Sequence, residues 1–516
     1  MEASARPAPA GSEVLRPPGE LRLPPALAQL RQRRVDVVGV ASVEGGEMAR
    51  YLLAAGFTNL VGHDQQPDRQ GLARAHHRAH AGLGPEEREG RLRELLDGLA
   101  SLQIGPDYLR QVESSALVIP TQAWFLSPAN APLQELRRKG HPFYSLIQAY
   151  LDLARGEVIG VTGSHGKSTT SALLAAVLEQ TGIFPAVWLA GNDRHTRQAL
   201  EAVARDPGQG CLILEISNRQ LLQMDRAPRV ACLTNITANH LDEHGGMAGY
   251  VLAKQRIFAL PGCRVAVRNG DDPLSLSGDL ATAIREFRFA ATEAGLAGHD
   301  GAYQLDQTLQ LRWQGESRPV LPVDRVPLRG QHNLANVGAA LSLLAAVSEP
   351  DPAALELAAA AIERFTPLRH RTELVRERAG VEYVDDLSST TPQSTVAAIR
   401  ALGKSCILIA GGQDKGIGFG ELVGLVGGEV RAVILLPGEG SDRLAAELAE
   451  AGREELLHRV GRLRPAVELA RNLAQAGEAV LLSPACPGFF TAHYGEGGFR
   501  QAVLRATSPR PRREPA

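Results

Sequence analysis

The residues best suited to chemistry sit in one short stretch. Gly163-Ser164-His165-Gly166-Lys167-Ser168-Thr169 follows the apolar run Val158-Ile-Gly-Val-Thr162 and precedes a pattern that puts Leu173, Leu174, Val177 and Leu178 on one helical face. A glycine-rich turn between a strand and a helix directs backbone N–H groups at the positive end of the helix dipole, where phosphate oxygens bind. Lys167 is placed to supply a mobile cation to the β- and γ-phosphates, and the hydroxyl of Ser168 is placed to ligate Mg²⁺. Val161 stands where the strict G-x-x-x-x-G-K-[ST] form has its first glycine. The strand before the turn and the helix after it still favour ATP hydrolysis or transfer.

Two further groups belong with this loop. Cys211-Leu-Ile-Leu-Glu215 is an apolar strand that ends in a carboxylate, and the carboxyl ends of strands are where open α/β sheets bind ligands. Glu215 is therefore expected to ligate Mg²⁺. Beyond the next strand comes Thr234-Asn-Ile-Thr-Ala-Asn-His240-Leu-Asp242-Glu-His244, and Lys254 follows on a helical pattern. A histidine just past a strand in a phosphate-loop domain is well placed to meet a metal.

Several elements must position these groups. Val35-Asp-Val-Val38 runs into a glycine turn and a helix with Met48, Leu52 and Ala55 on one face and Gly56 as its stop; a second strand near Leu60 to Gly62 ends at Asp64. Further strands are expected at Cys211 to Ile216, Val230 to Thr234, Val381 to Val384, Cys406 to Ala410, Ala432 to Leu436 and Ala479 to Leu482, joined by helical crossovers. A chain of 516 residues exceeds one core. The expected α/β fold has three domains: a Rossmann-like one over 31–155, a phosphate-loop ATPase-like parallel sheet over 156–364 for ATP, and a second Rossmann-like one over 365–507. Segments 1–30 and 508–516 are expected to be a disordered extension and tail.

Composition narrows the class. A net charge of -2 with 22% charged residues gives no electrostatic case for nucleic acid or an anionic membrane, and no apolar run is long enough to span a bilayer. The five cysteines are scattered and form no C-x-x-C pair, which fits a reducing cytoplasm better than a disulfide framework or a zinc site. A monomer acting on small molecules is expected.

The motifs, taken in order, resemble those of the Mur ligase family. Thr-Gly-Ser-His-Gly-Lys-Ser-Thr169, Glu215-Ile-Ser-Asn-Arg-Gln-Leu, Asn235-x-x-x-Asn-His240-Leu-Asp-x-His244, Tyr250-x-x-Ala-Lys254 and Gly330-Gln-His-Asn333-Leu-Ala-Asn336 carry the likeness. Leu368-Arg-His-Arg371, Tyr383-Val-Asp-Asp386-Leu-Ser-Ser-Thr390-Thr-Pro, Gly411-Gly-Gln-Asp-Lys415-Gly and Leu481-Leu-Ser-Pro-Ala-Cys486 extend it, and they are closest to the glutamate-adding branch.

The resemblance implies a ligase that phosphorylates the carboxylate of UDP-N-acetylmuramoyl-L-alanine with ATP and couples the acyl phosphate to glutamate, with two Mg²⁺ ions; it assigns UDP binding to the domain over 31–155 and amino acid and nucleotide to the one over 365–507. It implies Gly163 to Thr169 on the phosphates, Lys167, His240 and Lys254 as catalytic groups, and Ser168, Glu215, His240 and a carbamylated Lys254 on the metals. Asn333 and Asn336 would face adenine, and Arg371 and Asp386 the ribose and phosphates. Thr390, Lys415 and Tyr494 would meet glutamate, with Gln65 and Asn192 on the uridine substrate. Ser388 replaces a family lysine, Gly488 a serine and Asn239 an aspartate; the Ser389-Thr-Thr-Pro392 form of the motif resembles family members that add L-glutamate, so L-glutamate in place of D-glutamate is a second expectation. A folate polyglutamylating ligase and a non-catalytic nucleotide-binding paralog are the remaining alternatives.

Overall fold

The computed structural model describes residues 21–80, 82–192, 198–489 and 498–508. Its contacts divide the chain into two compact units. One comprises the residues up to Val158 together with Phe184–Leu212, and the other Ile159–Ile183 together with the residues from Ile213 onward.

The first unit holds a four-stranded parallel sheet of β1 (Val35–Val38), β2 (Leu60–Asp64), β3 (Ser101–Ile104) and β4 (Leu117–Ile119) in the order β3-β2-β1-β4. The order reverses at β1, which places a crevice at the carboxyl ends of β1 and β4. The helix Val43–Ala54 starts there, capped by Ser42, whose Oγ accepts from Gly45 N at 3.0 Å. Asp64 ends β2 buried, accepting from Ala41 N at 3.0 Å, so this acid closes the turn after β1. Inside the sheet, Asp36 bridges Arg34 (2.7 Å) and His63 (2.5 Å) with no exposure of its own. The rings of His76 and His80 are buried and stacked at 4.1 Å, and burial depresses the pKa of both, that of His76 to about 3.

Part of the expected extension is structured. Leu27 is fully buried, and the Arg22 guanidinium donates to the carbonyls of Asp206 (2.5 Å), Leu153 (2.8 Å) and Val203 (3.0 Å), satisfying helix ends that would otherwise lack donors. The sequence hid this because Pro24-Pro25 reads as a linker, whereas Leu27, the Arg22 side chain and backbone bonds of Arg22 to Ala204 and Tyr51 dock the segment. Segments 1–20 and 509–516 lie outside the described residues.

The large sheet comprises β5 (Glu157–Thr162), β6 (Val187–Gly191), β7 (Cys211–Glu215), β8 (Val230–Leu233), β9 (Val265–Asn269), β10 (Arg285–Phe289), β11 (Asp300–Leu305), β12 (Thr308–Trp313) and β13 (Glu316–Pro322). Its order is β13-β12-β11-β10-β9-β8-β5-β7-β6, and β5, β8, β9, β10 and β11 are mutually parallel neighbours where they pair. β11 to β13 form an antiparallel meander that the sequence reading does not contain. Its two turns, at Asp306-Gln307 and Gln314-Gly315, all have positive φ, the geometry of two-residue hairpins. The helix Lys167–Thr181 buries Leu173, Leu174, Val177 and Leu178 completely, as its periodicity predicts.

The third sheet contains β14 (Glu373–Arg378), β15 (Val381–Asp385), β16 (Cys406–Ala410), β17 (Val430–Leu435), β18 (Leu457–Arg459) and β19 (Ala479–Leu482) in the order β14-β15-β19-β16-β17-β18. All pairs are parallel except β14 with β15. Both faces are covered: Cys406, Leu408 and Ala410 point into one core and Ile407 and Ile409 into the other, which is why this strand reads as an unbroken apolar run. Among the described residues no helix is long and apolar enough to cross a membrane.

Candidate active site at the phosphate loop

The loop between β5 and the helix Lys167–Thr181 depends on glycine at two points. Gly163 has φ +150° and Gly166 φ +83°; a Cβ on the first would collide with Thr234 Oγ1 and on the second with Asn336 Oδ1. The loop is held from the next strand end: Ser164 N donates to Asn235 O (2.8 Å), His165 N to Asn235 Oδ1 (3.0 Å), and Ser164 Oγ to Thr237 O (3.0 Å). Lys167 folds back onto the loop, donating to the carbonyls of Gly163 (2.9 Å) and Ser164 (3.1 Å). Burial lowers its pKa, with Glu215 opposing. Burial and the surrounding cations hold His165 neutral, at about 3.

Lys254 lies on the helix Met247–Ala259, one turn after Tyr250, and both are buried on the same face. Its Nζ donates to Thr162 Oγ1 (3.1 Å) and Gly163 O (2.9 Å) and sits 5.5 Å from the Tyr250 ring centroid. Burial, reinforced by Lys167, drives its pKa well below the ordinary lysine value. Glu215 ends β7 with 2% exposure, and Ser168 opens the helix with 5%. A hydroxyl and a carboxylate are hard oxygen donors, so Ser168 and Glu215 fit Mg²⁺ in chemistry, while His240 adds a borderline nitrogen donor. As an ammonium, Lys254 does not; it fits only after losing its proton.

His240 is held by residues that the sequence reading leaves unassigned. It adopts a left-handed conformation, φ 53°, immediately before the short helix Leu241–His244. Its Nδ1 pairs with Glu243 Oε1 at 2.8 Å, and Glu243 is gripped by Arg219 through Nε (2.8 Å) and Nη2 (2.5 Å). Burial opposes the charge on Glu243, but the hydrogen bonds from Arg219 and His240 overcome it and hold the carboxyl at about 2. Asn218 Nδ2 lies 2.8 Å from His244 Nε2 and fixes the same turn. In sequence these are ordinary surface charges 24 residues apart, and only the fold pairs them.

The third sheet supplies the remaining groups. Arg371 Nη2 donates to Ser168 Oγ at 2.9 Å, bringing the expected phosphate-facing arginine to the loop. Arg371 is anchored by its neighbours, because His370 Nδ1 pairs with Asp385 Oδ2 at 3.0 Å and Arg500 holds Glu373 at 2.6 Å. Asp386 is buried, accepting from Thr372 N (3.1 Å) and Ser483 Oγ (2.8 Å); burial raises its pKa to about 6. Lys415 Nζ donates to Asn239 Oδ1 at 3.1 Å, and burial lowers its pKa, with Glu243 opposing. Thr390 is half-buried just before Thr391, which caps the helix Pro392–Leu402.

Asn333 and Asn336 are joined at 3.0 Å, and Asn333 also donates to Arg329 O at 2.8 Å. Arg329 itself reaches the third sheet through Glu382 at 2.6 Å. The departure at Gly488 has a backbone reason: φ is +76° and a Cβ would lie 2.9 Å from Gln413 Cδ, so a serine would be strained there. Ser388 ties its N–H to His370 O at 3.0 Å.

In the first unit, Gln65 Nε2 donates to Tyr108 Oη (2.9 Å) and Ser127 Oγ (3.0 Å), while Asn192 Oδ1 accepts from Gln122 Nε2 (3.0 Å). Both expected uridine-substrate residues are therefore held in polar networks of that unit. Tyr494 lies outside the described residues.

Comparisons with known proteins match these regions. The Mur ligase middle domain model matches residues 161–344, and the Mur ligase, glutamate ligase domain model matches residues 370–486. A UDP-N-acetylmuramoylalanine–D-glutamate ligase of Symbiobacterium thermophilum is 33% identical over 461 residues, 89% of this chain and 94% of that relative. One from Roseiflexus sp. is 34% identical, covering 81% and 91%. Among solved structures, the UDP-N-acetylmuramate-alanine ligase of Thermotoga maritima has a TM-score of 0.58 at 17% identity, over 92% of this chain and 99% of that one. The murein peptide ligase of Psychrobacter arcticus has 0.54 at 15%, over 92% and 98%. These structural likenesses are of fold. Because kinship in sequence extends over nearly the full length of those relatives and takes in both the phosphate loop and the Arg371 side of the site, the chain belongs to the Mur ligase family.

Proposed function

We propose that this chain is an ATP-dependent ligase that adds D-glutamate to UDP-N-acetylmuramoyl-L-alanine in peptidoglycan precursor synthesis, acting in the cytoplasm. The relatives' names support the substrates. The chemistry is supported above all by the contact between Arg371 and Ser168 at 2.9 Å, which brings a cation from the third sheet onto the phosphate loop.

Phosphoryl transfer is chiefly positioning and charge neutralisation. Lys167 exchanges the carbonyls of Gly163 and Ser164 for the β- and γ-phosphates. Arg371 leaves the Ser168 hydroxyl for the γ-phosphate, which frees that hydroxyl for Mg²⁺. Asn333 and Asn336 receive adenine, and Asp386 the ribose. The terminal carboxylate of the uridine substrate takes the γ-phosphoryl group as ADP leaves; the glutamate amine attacks the acyl phosphate, an amide C–N bond forms, and phosphate departs with the amine proton passed to solvent. Lys415 and Thr390, with Tyr494, would hold the glutamate carboxylates. Gln65 and Asn192 would hold the uridine substrate.

Two Mg²⁺ ions would screen the phosphate charge, one held by Ser168 and Glu215 and the other by His240 and Lys254. Lys254 serves by reacting with CO₂: its neutral amine forms an N–C bond and releases a proton, converting a cation into a carbamate with hard oxygen donors. Its complete burial and depressed pKa favour the neutral amine that this needs.

The test is phosphate release from ATP with UDP-N-acetylmuramoyl-L-alanine and either D- or L-glutamate, with mass spectrometry of the product. Product with D-glutamate is expected. Product with L-glutamate alone would reassign the amino acid, and no product with either would leave a nucleotide-binding paralog.

A further inference from the structure

We propose that Glu243, held by Arg219, is the positioning residue that determines which ring nitrogen His240 offers to a divalent cation. The inference rests on the metal-ligand role proposed for His240. Nδ1 faces Glu243 Oε1 at 2.8 Å, and a carboxylate can only accept there. Nδ1 therefore carries the proton, and Nε2 presents its lone pair outward. Arg219 satisfies both carboxylate oxygens, at 2.8 and 2.5 Å, so Glu243 cannot swing away to a competing donor. Its side chain is only 7% exposed, which separates this contact from a solvated surface pair. Metal-bound histidines are commonly oriented and tuned by such a carboxylate on the second nitrogen.

Neighbouring groups bear on the same carboxylate. Glu243 acts electrostatically on Lys415, which reaches Asn239 next to His240. One side chain thus orients a ligand of the central sheet and attracts a lysine of the third. The left-handed backbone at His240 limits the directions its ring can take, and Glu243, one turn on, selects among them.

The decisive variant is Glu243→Leu, which keeps about the same volume and removes the acceptor. Oε1 takes both Arg219 Nη2 and His240 Nδ1, so without it Nδ1–H has no acceptor. An imidazole with no partner on Nδ1 favours its other tautomer, and the proton moves to Nε2, the nitrogen the metal needs bare. The experiment is two-bond ¹H–¹⁵N correlation of the full chain labelled at its 14 histidines, with His240→Gln identifying the His240 signals. Half-saturating Mg²⁺ for phosphate release is measured alongside it.

Wild type is expected to carry the proton on Nδ1 and E243L on Nε2. The Mg²⁺ requirement of E243L should rise about 10- to 100-fold, with ATP half-saturation at saturating Mg²⁺ unchanged, and Glu243→Asp, which keeps a carboxylate, should retain the wild-type values of both. The proposal is overturned if wild type carries the proton on Nε2, or if E243L keeps the wild-type tautomer. A wild-type chain that makes no product overturns the function proposed above, while the tautomer measurement on the metal-free protein still decides this one.

Discussion

Replacing Asp386 by Asn removes a carboxyl that the fold holds against its preference. Burial lifts its pKa from an ordinary 3.8 to about 6 despite hydrogen bonds from Ser389 and Ser483 and the nearby Arg371. A carboxyl whose pKa rises on folding makes the native state the better proton binder, so stability is lost as pH rises through that range. The cost is absent well below 3.8 and complete above about 6; at about 1.4 kcal/mol per pH unit it reaches about 3 kcal/mol. By pH 5 about half of it is present. Asp386→Asn, being uncharged, is therefore expected to be more stable than wild type at pH 8 by up to about 3 kcal/mol, with the advantage roughly halved at pH 5, while ATP-dependent turnover falls. The chain has two compact units, so a single melting point would mix them. Hydrogen exchange of the segment 381–387 at the two pH values isolates the right one. Equal protection of variant and wild type at pH 8, or a difference that does not change with pH, would refute the argument.

Gly166→Ala forces a left-handed alanine, costing about 1–2 kcal/mol, and drives a methyl group into Asn336 Oδ1; ATP binding by calorimetry should weaken at least tenfold (about 1.4 kcal/mol), and unchanged binding would sink the loop geometry. Lys254→Ala should lower turnover by at least about 10- to 100-fold, and wild-type turnover should fall when CO₂ and bicarbonate are stripped from the buffer; indifference to both would exclude the carbamate. Because burial holds His76 neutral to about 3, the unfolded state binds the extra proton once pH drops below about 6.5, and stability of the first unit is lost on the way down. His76→Leu should flatten that loss in acid-unfolding curves, and identical pH slopes would show that the stacked pair carries no such penalty.

The phosphate loop and Glu215 could be located from the sequence because they lie at the carboxyl ends of β5 and β7, where apolar runs mark the register. The doubly covered strands β16 and β19 were visible for the same reason. His240 and Lys254 stand farther from a strand end, seven residues past β8 and two turns into the helix Met247–Ala259, and only the order of motifs pointed to them. The meander β11 to β13 was overlooked because its signals are short: Tyr303 and Leu305, then Leu309, Leu311 and Trp313, alternate across two primed turns that crossover-based reading passes by. Arg219 and Glu243 were illegible for a different reason. A charged residue says nothing about its partner until the chain closes, and burial of the pair comes from tertiary packing alone. Asp64, at the end of a second strand, has a structural task that spacing alone does not reveal: its carboxylate accepts from Ala41 N and closes the turn after β1.

The outer strand of the large sheet, β13, bears on how this protein behaves when crowded. A sheet of this size ends in a row of backbone donors and acceptors that another copy could extend. Here the last strand carries Pro319 and Pro322, which have no N–H to give, and the register against β12 slips between Leu309 and Gln310. Glu316, Ser317 and Arg318 leave polar side chains along the same border. The meander therefore closes the sheet to further growth, and a Pro319→Val change should convert a terminated border into a template for end-to-end polymerisation without touching the reaction centre.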